Sequence, residues 1–233
     1  MLKIEKTVLP SPEQWEIIIE GMRNPLNSWD KSDSHKCDLS VEDCPIVMCE
    51  GIGAHPGFGC DDGKRGFCIG EKDADLMKRL AKGGAVHAKY RRMIPVYLTI
   101  NAPLYWWKEF DTYKVGTVAN SCSTMHKIHS NEFTLADFSC EHMNRTSMRL
   151  LEITVDTLNM ERECFLGSGN KDDWWQLIQL LPTSYNQKRT VMLNYEVLVN
   201  IYHSRKNHKL DEWHTFCDWI RELPYSELIT GGK

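Results

Sequence analysis

Apolar residues recur at helical spacing over several stretches of the chain. Trp15, Ile18, Ile19 and Met22 form one such face and predict a helix that runs to about Arg23. Its start carries a capping Ser11, Pro12 at the first helical position and Glu13 in the first turn. Asn24-Pro25 ends it, and the following NSWDKSDS reads as a loop of turn formers. Leu76 and Leu80 predict a short helix over residues 73–81, stopped by the Gly83-Gly84 pair. The β-branched and aromatic run at 93–100 predicts a strand. After Ala102-Pro103, Leu104, Trp107, Lys108 and Asp111 fall at helical spacing and predict a helix over 104–113. In the C-terminal half, Met148, Leu151, Val155, Leu158 and Cys164 predict a helix over 146–165. Further helices are predicted over 172–181, 190–203 (carrying Val191, Leu193, Leu198 and Ile201) and 211–223, with Pro182 and Pro224 as stops. Few strands and long helices predict an α+β fold.

At 233 residues the chain is long enough for one well-cored domain, and the expectation is a single domain over 1–233. Residues 31–70, rich in Gly, Asp and Cys and poor in periodicity, read as an irregular insertion. The net charge of −4 gives no global attraction to nucleic acid or membrane, so any anion site must be local. No stretch approaches the roughly 18 apolar residues of a membrane span. The charged start MLKIEK leads into no signal-type apolar core, and a cytoplasmic protein is expected. The nine cysteines argue against a disulfide framework in that compartment. Cys37, Cys44, Cys49, Cys60 and Cys68, with His35 and His55, are open to two readings: a structural zinc, or free thiols in the insertion. Their spacings lack the two-residue knuckle of common zinc sites, and no metal is expected.

Candidate chemistry concentrates in residues 83–129. Lys89, Arg91 and Arg92 sit beside His87 and a glycine pair, where backbone donors can approach an anion. A solvated, charged loop is the alternative. Trp106-Trp107 reads as packing or as a stacking surface, of which at most one ring faces a ligand. Ser121, Cys122, Ser123 and Thr124 lack the Gly-x-Ser-x-Gly frame of a nucleophile, so the hydroxyls are read as binding phosphate or capping a turn. Asn194 and Asn200 fall within a predicted apolar-striped helix, where unpaired amides are costly. Arg205 follows at its end, open to phosphate binding or to a favourable place at the helix C-terminus.

Together these residues resemble the flavin-dependent thymidylate synthases, over residues 80–129 and 181–213. His87 stands at the family's flavin-side His, Ala102-Pro103 matches directly, and Lys108-Glu109 stands at its Arg-Gln. Thr112, Tyr113 and Lys114 stand at its Arg-His-Arg signature, where Lys114 keeps a positive charge. With one inserted residue, Asn120 and Ser123 match the polar run that follows, and Met125 stands at its substrate-holding Arg. Leu181-Pro182, Asn194, Asn200 and Arg205 match the C-terminal pattern, with Glu196 in place of an Arg.

The resemblance implies a small antiparallel sheet with long helices, a homotetramer, and FAD-dependent methylation of the ring of a pyrimidine nucleotide such as dUMP. Methylenetetrahydrofolate would be the carbon source and NADPH the reductant. It assigns His87, Arg91, Arg92, Tyr113, Lys114, Asn194 and Asn200 to the cofactor, and Lys108, Glu109, Ser121, Ser123 and Arg205 to the substrate. It assigns no catalytic residue. Two alternatives stay open: a non-catalytic nucleotide-binding protein of the same fold, and a related enzyme acting on a different pyrimidine nucleotide.

Overall fold

The computed structural model describes residues 1–36 and 66–231. Cys37, Cys44, Cys49, Cys60 and His55, and with them the zinc reading, lie outside the described residues. In chain order the elements are β1 (Lys3–Val8), α1 (Pro12–Arg23), β2 (His35–Lys36), β3 (Phe67–Cys68), α2 (Glu71–Lys82), β4 (Pro95–Pro103) and α3 (Leu104–Phe110). Then follow β5 (Val118–Ser121), α4 (Arg145–Ser168), α5 (Lys171–Leu180), β6 (Asn186–Asn194), α6 (Tyr195–Arg205), α7 (Asp211–Glu222) and α8 (Glu227–Thr230).

Four strands form a sheet in the order β1-β4-β6-β5. Tyr195 donates its backbone N–H to the Ile94 carbonyl at 3.2 Å, and the Thr99 and Thr190 hydroxyls meet at 3.2 Å. Residue numbers therefore rise along β4 as they fall along β6, the register of an antiparallel pair. The fold is α+β, a small antiparallel sheet with long helices.

One segment departs from the predicted pattern. Residues 190–203, expected as a single helix, divide into the end of β6 and the start of α6. Gln187, Val191 and Leu193 are buried while Lys188 and Thr190 are exposed, an alternation of period two that specifies a strand. The helix begins only after Asn194, whose side-chain oxygen accepts from the Val197 N–H at 3.1 Å. Asn194 is thus a cap, not a costly helix-interior amide. The strand predicted at 93–100 runs over Pro95–Pro103, preceded by a 3-10 turn at Lys89–Met93.

The chain divides into two compact units. The first comprises Met1–Lys6, Thr99–Thr112 and Ala119–Val191. Asn144 caps α4, and Leu151, Val155 and Leu158 on its inner face pack with Ile128, Phe133, Phe138 and Leu177. Cys164 of the predicted stripe is exposed instead. Trp106, Trp107 and Phe110 of α3 are all buried, and Trp107 donates its Nε1–H to the Gln187 carbonyl at 2.8 Å. Both tryptophans are core.

The second unit comprises Thr7–Leu98, Tyr113–Val118 and Met192–Lys233. The predicted capping of α1 by Ser11 is present, completed by the Gln14 side chain. Within this unit Arg23, at the end of α1, places its Nε 2.5 Å from Asp73 Oδ1, and both side chains are buried. Asp73 Oδ2 accepts from the Ser32 and Ser34 hydroxyls, both at 2.7 Å, and from the backbone N–H groups of Asp33 and Ser34. Burial alone would raise the Asp73 pKa, but the serine and Arg23 hydrogen bonds outweigh it and hold the carboxyl below its ordinary value.

Asp33 in turn accepts from the Lys72 and Asp73 N–H groups, so α2 is capped from a distant loop. That approach requires Gly70: a Cβ there would lie 2.3 Å from the Asp33 carboxyl. The loop–helix knot fixes α2, which carries Lys78 and Lys82.

Candidate functional site

Within the second unit the antiparallel register sets the site. Ile94 and Tyr195 are the last bonded rung, so Arg91, three residues before Ile94, and Glu196, just after Tyr195, emerge side by side. Arg91 Nη1 lies 3.8 Å from Glu196 Oε2, and both side chains are largely buried. Tyr90 anchors the turn that carries Arg91 by donating its hydroxyl to the Met77 carbonyl of α2 at 2.9 Å. Burial pushes the Tyr90 pKa up to about 12, so the hydroxyl remains a donor at neutral pH. Tyr195, at the start of α6, donates its own buried hydroxyl to the Pro224 carbonyl at 2.5 Å and ties α6 to the segment before α8.

These elements enclose a cavity of about 760 Å³. From α2 it takes Lys78 and Lys82, one turn apart; from α6 it takes Glu196, Asn200 and His203. Glu227 of α8 joins them. Two lysines and an arginine therefore face two carboxylates. Arg91 Nε and Glu196 Oε2 are buried and have no hydrogen-bond partner. A buried donor and acceptor left unmade cost on the order of 1–3 kcal/mol each, a cost that a ligand with matching groups removes.

A second cavity in the same unit, of about 400 Å³, takes Arg92, Tyr97, Thr117 and Asn194 in its lining. The Thr117 hydroxyl is buried there without a partner. Gly116 at φ +81° turns the chain beside it, and a Cβ would press to 3.1 Å on the Asn194 amide.

Tyr113 and Arg205 come together. Arg205 Nε donates to the Tyr113 hydroxyl at 2.8 Å, and its guanidinium lies 4.8 Å from the Trp213 ring centre and 5.6 Å from that of Tyr113. Arg205 is therefore held by an aromatic pair. Trp213, absent from the sequence-derived set, completes that grip.

Of the other candidates in this unit, His87 is exposed with its ring over Gly83, and Lys114 is exposed. In the first unit Lys108 and Ser121 are exposed and Glu109 is half-buried. Ser123 is exposed and its Oγ accepts from the N–H groups of Met125, His126 and Lys127, which caps a turn, one of the two readings open for it in the sequence. So the structure gathers Arg91 and Asn200 in one cavity, Arg92 and Asn194 in another, and Tyr113 with Arg205.

Sequence reasoning missed Lys78, Lys82, His203 and Glu227. The signal for the α6 set is a helical face: Glu196, Val199, Asn200 and His203 all line the cavity at spacings of one face. Among the described residues no group of three or more His, Cys, Asp or Glu side chains is arranged to hold a metal ion.

Comparison of the whole chain with solved structures shows the fold of the flavin-dependent thymidylate synthases. It is similar to the flavin-dependent thymidylate synthase ThyX from Helicobacter pylori complexed with FAD and dUMP, with a TM-score of 0.61 and 15% identity, covering 99% of this chain and 98% of that one. A second structure of the Helicobacter pylori enzyme with FAD and dUMP gives 0.59 and 14%, covering 98% and 95%. The UMP/dUMP methylase PolB from Streptomyces cacaoi, bound with 5-Br dUMP, gives 0.58 and 12%, covering 99% and 94%. No family model matches the sequence, and no curated protein matches it.

Proposed function

We propose that this chain binds a pyrimidine nucleotide such as dUMP and methylates its ring in a flavin-dependent reaction. The reading rests on the shared fold and on one observation above the rest: the buried Arg91, whose Nε lacks a partner at the wall of a cavity rich in cations. A volume of about 760 Å³ is within the usual range of small-molecule and cofactor sites.

FAD fits this donor set. Arg91, Lys78 and Lys82 would take its phosphates, and Asn200 and His203 would meet polar atoms of its sugar or ring. When bound, flavin supplies the hydride chemistry that protein side chains cannot. The chain's own part is to hold anionic groups in place with preset charges and to orient the rings they carry. Arg92, His87, Lys114, Tyr113 and Asn194 complete the cofactor side of the proposal; Lys108, Glu109, Ser121, Ser123 and Arg205 form the substrate side. Methylenetetrahydrofolate as carbon donor, NADPH as reductant, a homotetrameric assembly and a cytoplasmic location belong to the same reading. Among the described residues no helix is long and apolar enough to cross a membrane.

The test is the visible spectrum of the purified chain, before and after added FAD, followed by product mass on dUMP with methylenetetrahydrofolate and NADPH. Flavin bands and a methylated nucleotide are expected, with both lost in Arg91→Ala. A chain that takes up no FAD but binds dUMP would overturn the reaction and leave a nucleotide-binding protein. Conversion of dCMP in place of dUMP would move the substrate to another pyrimidine.

A further inference from the structure

Asn194 can face the second cavity in only one way. Its Oδ1 accepts the Val197 N–H at 3.1 Å as the cap of α6, and turning the amide over would set an NH2 group against that donor. The atom left on the other side is therefore Nδ2, which lies 3.1 Å from where a Cβ on Gly116 would stand. Asn194 and Gly116 both line the cavity. An amide that could offer a donor or an acceptor thus offers a donor alone.

The Thr117 hydroxyl is in the same lining, buried and without a partner, and it can accept or donate. The walls around these two polar groups are apolar. Counting from the Ile94–Tyr195 rung, Pro95 stands opposite Asn194 and Tyr97 opposite Met192, on one face of β4 and β6. Met93, Tyr97 and Val118 are 40%, 47% and 62% exposed, apolar surface that a flat ring would cover. Arg92 is exposed at the open end, whereas Thr117 Oγ1 is buried. A ligand with a ring at one end and an anion at the other therefore enters ring first. The edge farthest from its charged tail meets Asn194 and Thr117.

In a pyrimidine nucleotide that edge is C4 with its neighbour N3, across the ring from the sugar bond. Uracil offers a carbonyl at C4 for Asn194 Nδ2 and an N–H at N3 for the Thr117 oxygen. Cytosine offers an amine at C4, which meets Nδ2 donor against donor. The pyrimidinedione end of a flavin carries the same carbonyl and N–H as uracil. We infer that Asn194 and Thr117 make this cavity selective for a pyrimidinedione edge and against a 4-aminopyrimidine. The inference rests on the proposed nucleotide reaction and narrows its ring chemistry; the edge comes from the nucleotide or from the flavin.

The experiment is equilibrium binding of dUMP, dCMP and FMN to the full-length chain and its variants. Asn194→Asp keeps an acceptor for Val197 and turns the cavity side from donor to acceptor; Asn194→Ser keeps a capping oxygen without the amide. Thr117→Val removes the hydroxyl and lies outside the cap, so it still reads the site if an Asn194 variant fails to fold. With the nucleotide as source, the wild type binds dUMP roughly tenfold or more tighter than dCMP, the cost of one mismatched buried hydrogen bond. Asn194→Asp reverses that ratio, in which the shared phosphate cancels, and Asn194→Ser and Thr117→Val shrink it. With the flavin as source, Asn194→Ser and Thr117→Val weaken FMN roughly tenfold and leave the nucleotide ratio where it was. A chain that binds none of the three, or whose affinities ignore both residues, overturns the inference even if dUMP is methylated. Affinities that follow Asn194 and Thr117 in a chain that forms no product leave it standing and overturn the reaction instead.

Discussion

Arg91 and Glu196 face each other at 3.8 Å across the end of an antiparallel strand pair, close enough to attract and too far to hydrogen-bond. The carboxylate competes with any incoming anion for the guanidinium. Replacing it with a neutral isostere should therefore free the cation for a ligand. Glu196→Gln is expected to tighten nucleotide or phosphate binding by roughly three- to tenfold, or about 1 kcal/mol. Titration calorimetry with dUMP and with FAD checks this; affinity that stays the same or weakens would mean that Glu196 itself contacts the ligand.

The Arg23–Asp73 pair is of another kind, because its hydrogen bonds are complete. Asp73→Asn leaves a buried guanidinium without its counter-charge and should cost about 3–5 kcal/mol in urea unfolding. Arg23→Met with Asp73→Leu together should cost less than Asp73→Leu alone, as the unpaired guanidinium then leaves the interior.

The same carboxylate predicts the acid limb of stability. Its folded pKa lies below the ordinary 3.8, so the unfolded chain takes up the proton first as pH falls. The contribution of Asp73 is thus complete above that ordinary value and is lost as pH falls through the lower, folded one. Urea midpoints measured between neutral and strongly acidic pH should drop steeply in the wild type at the acid end. Asp73→Asn should flatten that part of the curve.

At Gly70 the expected outcome is set by a 2.3 Å approach to the Asp33 carboxyl. Gly70→Ala should lower stability by about 1–3 kcal/mol through displacement of that carboxyl. Asp33→Ala should cost about 1 kcal/mol from the lost cap. The double variant should cost less than the sum, because the second change removes the carboxyl part of the clash, while the Asp33 carbonyl at 2.6 Å still meets the added methyl.

The grip on Arg205 separates a hydroxyl from a ring. Tyr113→Phe keeps the ring and loses one hydrogen bond, for about 1 kcal/mol. Trp213→Ala empties a fully buried site and should cost about 3–5 kcal/mol. Thermal melts distinguish the two.

Much of the fold could be read before any coordinates, because helix starts and stops are local chemistry. Ser11-Pro12 and the apolar faces of α1 and α4 carried their own signals. Residues 190–194 misled because Val191, seven residues before Leu198, reads with the helix that follows, whereas Val191 and Leu193, two apart and both buried, mark one face of a strand. The cavity was half legible: Arg91 and Asn200 were named from the resemblance. Lys78, Lys82 and Glu227 were not, since only tertiary packing brings α2 and α8 to α6. Arg205 was legible as a special cation but not as one held by Trp213, a contact that sequence distance hides.

Residues Lys36 and Phe67 are paired neighbours in the short β2–β3 ladder, so the chain at 67 has returned to where it stood at 36. The Asp33–Asp73 hydrogen bonds close the same junction a second time. In engineering terms this is a ready-made splice point. The intervening residues could be exchanged for a two-residue hairpin turn, or for a foreign domain whose termini lie close together, and the ends would already be in register.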